Sequence, residues 1–289
     1  MSKKICRRTT SAAGESSYDL YRNVHFPRGK NATMQSGRSG IEYVLDSGVR
    51  TELLVAIARN EPSTATLLEE TDASQSAVYS ALGDLEGRDL VDSVDERWRV
   101  TGRGRIVADL IGTIDRIEDV FAADDRYWNN HDAGAIPREF RIRLAALSEC
   151  RIERATETDP GRVKRLIGDR LDAAEEVWIA TPIYDPGFAE KLAGVERARL
   201  LFDEAVVTDL DKRPSDGAME GVTVRIGSVE FALTVTDECL LASLPECDGG
   251  YDARTEIVAE DERALDWATE LFEHCWSESV PVEEFFTGR

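Results

Sequence analysis

The stretch TELLVAIARNEPSTATLLEETDASQSAVYSALGDLEGRDLVDSVDERWRVT, residues 51–101, decides the fold of the N-terminal part of the chain. Its apolar residues recur at helical spacing in three groups, which predicts three helices. The first helix ends before Pro62, because proline lacks the backbone N–H that a helix interior requires. The second helix is predicted over 64–71, and the third follows a turn at 72–74 and ends near Glu86. The expected buried residues are Leu53, Leu54, Ile57, Ala58, Leu67, Leu68, Ala77, Val78, Ala81, Leu82 and Leu85.

A β-hairpin is predicted directly after the third helix. Residues 90–94 and 97–101 have strand character and flank a tight turn at Asp95 and Glu96. Gly87 stands where a helix C-terminus favours a left-handed residue. Trp98 faces the opposite side of its strand from the arginines on either side of it, so we expect it in the core. Three helices followed by a hairpin form a winged helix-turn-helix.

The third helix leaves a polar face outside the predicted core. In a helix-turn-helix the second helix of the pair enters the major groove of DNA. Either Ser74 or Ser76 can cap this helix, and hydrogen-bonding side chains near its N-terminus suit base edges and phosphates. The predicted DNA-binding residues of this helix are Ser74, Gln75, Ser76, Tyr79 and Ser80, with Gly83 on the same face.

Arginines follow on the return strand of the hairpin and just behind it. We expect Arg97, Arg99, Arg103 and Arg105 to hold the DNA backbone or to enter the minor groove. The same three helices and hairpin could instead dock a protein, so a winged-helix adaptor in transcription, without sequence-specific DNA binding, stays open as the alternative.

The overall charge is unusual for a partner of double-stranded DNA. The formal net charge is −21 and the isoelectric point about 4.6. The basic residues are mostly arginine, since lysine occurs only at Lys3, Lys4, Lys30, Lys164, Lys191 and Lys212. This composition resembles proteins of haloarchaea that accumulate salt, where charge is strongly screened. The acidic total therefore counts only weakly against DNA binding.

The cysteines and the lengths of the apolar runs indicate the cellular compartment and whether a metal or cofactor is bound. Five scattered cysteines show no metal-ligand spacing, which indicates a reducing cytoplasm and predicts no metal and no cofactor. No apolar run approaches the roughly 20 residues that span a bilayer, and no secretory signal is present, so we expect a cytoplasmic protein without membrane contact.

Residues 1–38 differ from the rest of the chain. They are rich in basic residues, serine and glycine, and we expect them to be disordered. They are either a basic arm that grips phosphate or the product of a mis-assigned start codon, with Met34 as the candidate start. The winged-helix domain is predicted over 41–105, with residues 41–45 packed onto it.

A long helix is predicted over 105–127. Its apolar seam consists of Ile106, Leu110, Ile114, Ile117 and Phe121, widened by Val107, Ile111 and Val120. A helix of this kind behind a wing favours a homodimer, which would match a palindromic operator. The alternative is that it packs only on the C-terminal domain of its own chain.

Residues 128–137 are linker-like, and a mixed α/β effector domain is predicted over 137–280. Strands are predicted at 177–180, 198–202, 222–226, 229–235 and 240–244, with an extended segment at 150–155. Helices are predicted at 138–147, 159–171, 188–195 and 260–276. Alternating helices and strands followed by a run of strands describe an α/β domain with a mixed sheet, so the fold class is α+β or α/β.

Ligands of α/β domains bind beyond the carboxyl ends of strands. This rule nominates Thr181, Tyr184 and Asp203 as ligand-binding residues, with Asp248, Tyr251 and Asp252 on the same face. Alternatively, the segment DGGYD at 248–252 is only a tight turn in which Gly249 and Gly250 supply positive φ angles.

Three segments of the C-terminal part carry a family resemblance: VWIATPIYDP (177–186), LLASLPECDGGYD (240–252) and ALDWATELFEHCW (264–276). They resemble the effector domain of the methanogenesis-regulator family of archaeal winged-helix transcriptional regulators. More distantly the chain is similar to sugar-responsive TrmB-like regulators, whose effector domain has a phospholipase-D-like fold. The resemblance implies transcriptional regulation by a two-domain, dimeric protein, and it brings no established ligand. Because a separate α/β domain attached to a winged helix is usually a sensor, we expect this domain to sense a small molecule or a partner protein.

Phospholipase-type catalysis would require H-x-K motifs, and the chain has none. Its histidines are His25, His131 and His274, and no lysine stands two residues after any of them. We expect His131 in the linker and His274 in helix packing. No phosphate-binding loop or nucleophile elbow occurs either, so no catalytic residue is predicted.

Overall fold

The computed structural model describes residues 40–192, 194–209 and 221–287. The chain divides into two compact units, Met1–Asp115 and Arg116–Arg289. The predictions made for residues 1–38 lie outside the described residues. Within the described part of the chain, no helix combines the length and the apolar character that a membrane span requires.

The first unit contains a winged helix-turn-helix. Its elements are α1 (Gly40–Leu45), α2 (Gly48–Asn60), α3 (Thr64–Glu70), α4 (Gln75–Glu86), β1 (Val91–Val94), β2 (Arg97–Val100) and the start of α5 (Gly102–Ala123). The predicted helices and hairpin are thus confirmed. Leu53, Leu54 and Ile57 of α2 are fully buried against Leu82 and Leu85 of α4. Burial of such side chains stabilises the unit by about 1.5–3 kcal/mol each.

Polar caps set the start of these helices. The Ser63 hydroxyl accepts a hydrogen bond from the backbone N–H of Thr66, and the Ser74 hydroxyl accepts one from Ala77. The expectation for Gly87 is wrong, because its φ of −63° is right-handed. The left-handed residue is Asp89, with φ of 57°, which turns the chain from α4 into β1.

The wing is a two-residue hairpin. Strands β1 and β2 pair antiparallel, with Val94 opposite Arg97. Asp95 and Glu96 both have positive φ, 50° and 63°, as a turn that follows the twist of a hairpin requires. The Trp98 ring is half-buried against the core, and its Nε1 donates to the Thr64 hydroxyl at 2.9 Å.

The second unit is a mixed α/β domain, as predicted. After α5 come α6 (Asp125–Asn130), a 3-10 turn (Ala133–Ala135), α7 (Arg138–Arg141), a second 3-10 turn (Leu144–Leu147), β3 (Arg151–Arg154), α8 (Arg162–Ala173), β4 (Glu176–Thr181), α9 (Pro186–Leu192), β5 (Arg197–Asp203), α10 (Glu204–Asp209), β6 (Val222–Gly227), β7 (Ala232–Thr236), β8 (Leu240–Ser243), β9 (Thr255–Ala259), α11 (Glu262–Ser277), β10 (Val280–Pro281) and α12 (Val282–Thr287).

The eight strands from β3 to β10 form one sheet in the order β10-β6-β5-β4-β7-β8-β9-β3. Strands β4, β5 and β6 run parallel, and the other pairs are antiparallel. Helix α11 covers one face through Trp267, Leu271 and Phe272. Helices α8 and α9 cover the other face through residues such as Leu171 and Leu192.

The linker expected at 128–137 is instead part of this domain. The Asp124 carboxylate caps α6, so the long helix ends at Ala123 rather than continuing to 127. Tyr127 and Ile136 are buried in the main core of the second unit. His131 is buried as well, so its expected linker position is wrong.

Candidate nucleic-acid interface and effector site

The residues predicted to read DNA lie together on one exposed face of α4. We call this surface the recognition face; it consists of Gln75, Ser76, Tyr79, Ser80 and Gly83, all exposed. The opposite side of α4 is buried through Val78 and Leu82. Tyr79 leaves 53% of its surface to solvent, although it is a large aromatic residue. Ser74 stands at the helix start as its cap, with its hydroxyl 3.2 Å from that of Ser76.

The wing arginines contact the end of α2 rather than standing free. Arg99 Nε lies 3.0 Å from Glu61 Oε2, and Arg97 Nη1 donates to the Glu61 carbonyl at 3.3 Å. Arg105 Nη1 donates to the Ala58 carbonyl at 2.7 Å. The Arg103 guanidinium lies against Gly40. At least three of these side chains thus have acceptors within the unit, although all four are exposed, and their contact with DNA stays a prediction.

The tip of the wing is acidic. Asp92, Asp95 and Glu96 are exposed on the hairpin. Asp95 and Glu96 form the turn, and Asp92 lies on β1 opposite Arg99. These carboxylates repel DNA phosphates, and salt weakens that repulsion by screening it.

A second group of basic residues surrounds Tyr43. The guanidinium carbon of Arg50 lies 3.9 Å from the ring centroid, and that of Arg88 lies 3.5 Å from it. Arg50 Nε also donates to the Tyr43 carbonyl at 3.0 Å. Sequence reasoning missed this cluster, because its members come from three separate elements and no local pattern connects them.

In the second unit, the strand register brings the predicted ligand residues to one edge of the sheet. Ala180 near the end of β4 is opposite Leu233, and Ala232 at the start of β7 is opposite Ser243 at the end of β8. The beginning of β9 and the end of β3 follow at the same edge. We call this the β4 edge, meaning the end of the sheet at which β4 terminates. Six predicted ligand residues lie there or in the loops that leave it: Thr181, Tyr184, Asp203, Asp248, Tyr251 and Asp252.

Several of these residues have local structural partners. The Thr181 hydroxyl donates to the Ile183 carbonyl. Asp203 accepts from the N–H groups of Ala205 and Val229 at 2.8 and 2.9 Å. Asp248 accepts from the N–H of Gly250 at 3.1 Å. These groups shape loops, and Tyr184 and Asp248 are the exposed members of the set.

The segment 248–252 does form a turn. The N–H of Gly249 donates to the Glu246 carbonyl at 2.8 Å, and Gly249 has a φ of 91°. Gly250 is not among the residues with positive φ, so that half of the turn prediction is wrong. The next two residues are less accessible than the turn, since Tyr251 is half-buried and Asp252 is buried.

Asp252 is buried and well supplied with donors. Its Oδ2 lies 3.0 Å from His131 Nε2 and accepts from the Thr255 hydroxyl, while Oδ1 accepts from the N–H of Arg254 at 2.7 Å. Burial alone raises the pKa of this carboxyl, but the hydrogen bonds from Thr255, Arg254 and His131 outweigh it, so the pKa lies below its usual value.

His131 joins Asp252 to α6. Its Nδ1 lies 2.8 Å from the Tyr127 carbonyl, and its ring stacks on the Tyr127 ring at 3.9 Å between centroids. Its two ring nitrogens thus face the Tyr127 carbonyl and the Asp252 carboxylate, so the ring forms a bridge between α6 and Asp252. Sequence reasoning missed it because the two partners are far apart in the chain.

Glu256 is the most deeply buried carboxyl of this region. It leaves 4% of its surface exposed. Burial, and next the negative charge of Asp252, raise its pKa to about 8. Tyr251 is half-buried, and burial together with the charges of Glu256, Asp252 and Asp185 raises the pKa of its hydroxyl. The sequence analysis did not identify Glu256 either, because it did not predict the short strand that contains this residue.

The described residues contain no cluster of three or more histidine, cysteine or acidic side chains arranged to hold a metal ion. Cys150 and Cys239 are buried thiols, and burial raises the pKa of each.

A winged helix joined to a mixed α/β domain defines the class of protein, and two family models refine it. Residues 38–124 match the family model described as the HVO_A0261 N-terminal domain. Residues 160–278 match the model of the middle domain of the methanogenesis regulatory protein FilR1. The family resemblance drawn from the sequence is thereby confirmed.

One relative and two solved structures accompany these matches. FilR1 of Methanothrix harundinacea (strain 6Ac) is 23% identical over 266 residues, which cover 84% of this chain and 58% of that protein. The chain thus spans under two thirds of the length of its curated relative. TrmBL2, described as an archaeal chromatin protein with a novel mode of DNA binding, is 14% identical with a TM-score of 0.38, covering 83% of this chain and 98% of TrmBL2. NucT from Helicobacter pylori is 8% identical, also with a TM-score of 0.38, covering 46% of this chain and 98% of NucT. The phospholipase-D-like fold stays a prediction.

Proposed function

We propose that this protein is a DNA-binding transcriptional regulator whose winged helix reads operator DNA and whose C-terminal unit senses a small molecule or a partner. The recognition face of α4 carries the proposal, because five small or hydrogen-bonding residues stand exposed on the second helix of a helix-turn-helix. The M. harundinacea relative is named as a regulatory protein, which supports the same role. No catalytic step is assigned to the chain.

In this proposal the start of α4 faces the DNA. Ser74 caps the helix, and the backbone N–H groups of its first turn attract a phosphate. Gln75 and Ser76 follow with side chains that donate and accept hydrogen bonds to base edges, and Tyr79 stands one turn further along. Such a protein acts on chromosomal DNA in the cytoplasm.

We further propose that α5 pairs with the same helix of a second copy. Ile106 leaves 63% and Leu110 leaves 46% of its surface exposed, whereas Val107 and Ile111 on the adjacent side are buried. An exposed apolar seam at spacings of four and three is typical of a helix that meets a partner helix. A two-fold pair of winged helices suits a palindromic operator.

A protein-docking role is the second candidate, and the wing favours it. Its tip carries Asp95 and Glu96, Asp92 is exposed on β1, and Arg97 and Arg99 of β2 are already bonded to Glu61. An adaptor would use the same recognition face against a protein. It would then bind no operator specifically.

The test is a gel shift in molar KCl with DNA from upstream of the gene for this protein and scrambled DNA as competitor. A regulator gives a specific band, and Gln75→Ala/Tyr79→Ala weakens it about 10- to 100-fold, the scale of one or two lost base contacts. Asp119→Ala, an exposed change on α5, leaves the band unchanged. If neither the wild type nor the variant binds any genomic fragment, while the double substitution abolishes capture of a protein partner, the adaptor role replaces the regulator role.

A further inference from the structure

The two helices of the helix-turn-helix carry no basic side chain. No lysine, arginine or histidine occurs between Arg59 and Arg88, the stretch that contains α3 and α4. Arginine and lysine are the usual readers of guanine in the major groove, because they donate to the O6 and N7 acceptors of that base. The helix that faces DNA in the proposed function therefore lacks the common means of selecting a G·C pair.

Acidic side chains, which select cytosine by accepting a hydrogen bond from its N4 amino group, do not belong to the recognition face either. The acidic residues of α4 are Asp84 and Glu86, both in its last turn. Asp84 is half-buried, and its Oδ2 lies 3.7 Å from Arg50 Nη1. Since the N-terminal residues of a recognition helix meet the base edges, neither carboxylate is placed to read cytosine.

The arginines of the wing do not replace the missing basic residues of α4. Arg97 and Arg99 are bonded to Glu61 at the end of α2, at 3.3 and 3.0 Å. In the proposed function they contact the DNA backbone or the minor groove, and neither surface displays the O6 and N7 atoms of guanine. The base contacts in the major groove are therefore left to the side chains of the recognition face.

Two long side chains stand on the recognition face, and they are neighbours. Gln75 and Tyr79 are both exposed, and their spacing of four residues places them on one side of α4. Four residues rise about 6 Å along a helix, which is less than two base-pair steps of about 3.4 Å each. The hydroxyl groups of Ser74 and Ser76 lie within hydrogen-bond distance of each other, at 3.2 Å. Gln75 is thus the side chain with the longest reach at the start of the helix.

We propose that α4 selects A·T base pairs, with Gln75 bound to an adenine and the Tyr79 ring packed against the 5-methyl group of a nearby thymine. The amide of a glutamine donates to adenine N7 and accepts from the N6 amino group at the same time. The thymine methyl is the apolar group that base edges present in the major groove, and an aromatic ring offers it an apolar surface. This proposal rests on the proposed function, since it names the bases that the proposed regulator reads.

The test begins with selection of bound sequences from a random duplex DNA library by the full chain in molar KCl. The wild type should enrich one motif, and two base analogues then probe that motif position by position. Deoxyuridine removes only the 5-methyl group of thymine, and 7-deazaadenine removes only the N7 acceptor of adenine. We expect deoxyuridine at one thymine to weaken binding about fourfold, the scale of one buried methyl group. We expect 7-deazaadenine at one adenine to weaken it about three- to tenfold, the scale of one hydrogen bond.

Single substitutions assign each loss to a side chain. In Tyr79→Ala the effect of deoxyuridine should disappear while the effect of 7-deazaadenine remains, and Gln75→Ala should show the reverse. Tyr79→Phe keeps the ring and should retain the deoxyuridine effect. Glu86→Gln, an exposed change in the last turn of the same helix, should alter neither effect. Because all three positions are exposed, each variant should unfold at the same temperature as the wild type, which circular dichroism checks.

The proposal is overturned if deoxyuridine costs the wild type nothing at any thymine, or if both effects persist unchanged in the alanine variants. It is also overturned if 7-deazaguanine, the matched guanine analogue, costs affinity that Gln75→Ala abolishes, because Gln75 would then contact guanine. A failure of the proposed function gives a different result. The library would then show no enriched motif at all, and the assignment of bases to α4 would fail with it.

Discussion

Glu61 at the end of α2 holds Arg99 of the wing in an ion pair, with 3.0 Å between Oε2 and Nε, and both side chains are half-exposed. The backbone of Glu61 is left-handed, with φ of 47°, and its carbonyl accepts from Arg97. One acidic residue thus occupies two arginines that a DNA backbone would otherwise attract. Phosphate and the Glu61 carboxylate compete for the same guanidinium group.

We therefore expect Glu61→Gln to strengthen DNA binding. An exposed ion pair contributes at most about 1 kcal/mol, so the gain should reach up to about fivefold and shrink as KCl is raised. Glu69→Gln removes an equal charge from an exposed position on α3 and serves as the control in a fluorescence-anisotropy titration. An equal gain in both variants would indicate general electrostatics rather than release of Arg99.

Two glycines in the first turn of α5 should respond in opposite ways to alanine. A Cβ on Gly104 would stand 1.8 Å from the Leu90 carbonyl oxygen, whereas one on Gly102 meets nothing within 4 Å. Gly104→Ala should lower the free energy of unfolding of the winged helix by more than about 2 kcal/mol. Gly102→Ala should be neutral or raise it by up to about 1 kcal/mol. Guanidinium denaturation measures both, and similar values would contradict the close approach of α5 to Leu90, the residue before β1.

Glu256 should make the second unit less stable as pH rises. Its folded pKa of about 8 lies above the ordinary value of 4.5, so the folded state retains a proton that the unfolded state has lost. The free energy of unfolding should fall between pH 4.5 and 8, by up to about 1.4 kcal/mol per pH unit, and stay low above pH 8.

The check is thermal unfolding followed across that pH range. Asp252, whose pKa is lowered, acts in the opposite sense and only at more acidic pH, where its stabilising contribution is lost as the carboxylate is protonated. Glu256→Gln should flatten the slope and raise the midpoint at pH 8. An unchanged slope in this variant would show that another group titrates.

The seam on α5 predicts the oligomeric state. Leu110→Glu places a charge on an exposed apolar position, so it should convert a dimer to a monomer without unfolding the domain. Ile142→Glu changes a similarly exposed residue on the second unit and should leave the mass unchanged. Light scattering after size-exclusion chromatography gives the masses. A wild-type monomer would remove the dimer from the proposal.

The N-terminal unit was predictable because its information is local. Helical spacing of Leu53, Leu54 and Ile57, the cap at Ser74 and the turn at Asp95 each act within a few residues. The error at Gly87 arose from the same locality, because the left-handed turn is two residues later at Asp89. Glycine favours such a conformation but does not determine where the chain adopts it.

The effector site was less predictable because its partners are distant in sequence. Thr181 and Asp252 could be placed at one edge from strand ends alone, but the His131–Asp252 contact depends on tertiary packing. Strand β9 was missed because TEIVA is short and contains a glutamate, which is rare in a fully buried strand. The polar composition of 128–137 concealed a segment that packs against the core through Trp128 and Ile136.

Strand β3 has its one neighbour in the sheet in β9, and Arg154 pairs with Thr255 about 100 residues further along the chain. During translation, the winged helix can therefore form its short-range contacts before β9, the pairing partner of β3, has been synthesised. The sheet closes only when the last part of the chain emerges. A ribosome stalled before residue 255 would thus carry a folded N-terminal unit attached to an incomplete C-terminal unit in which β3 is unpaired.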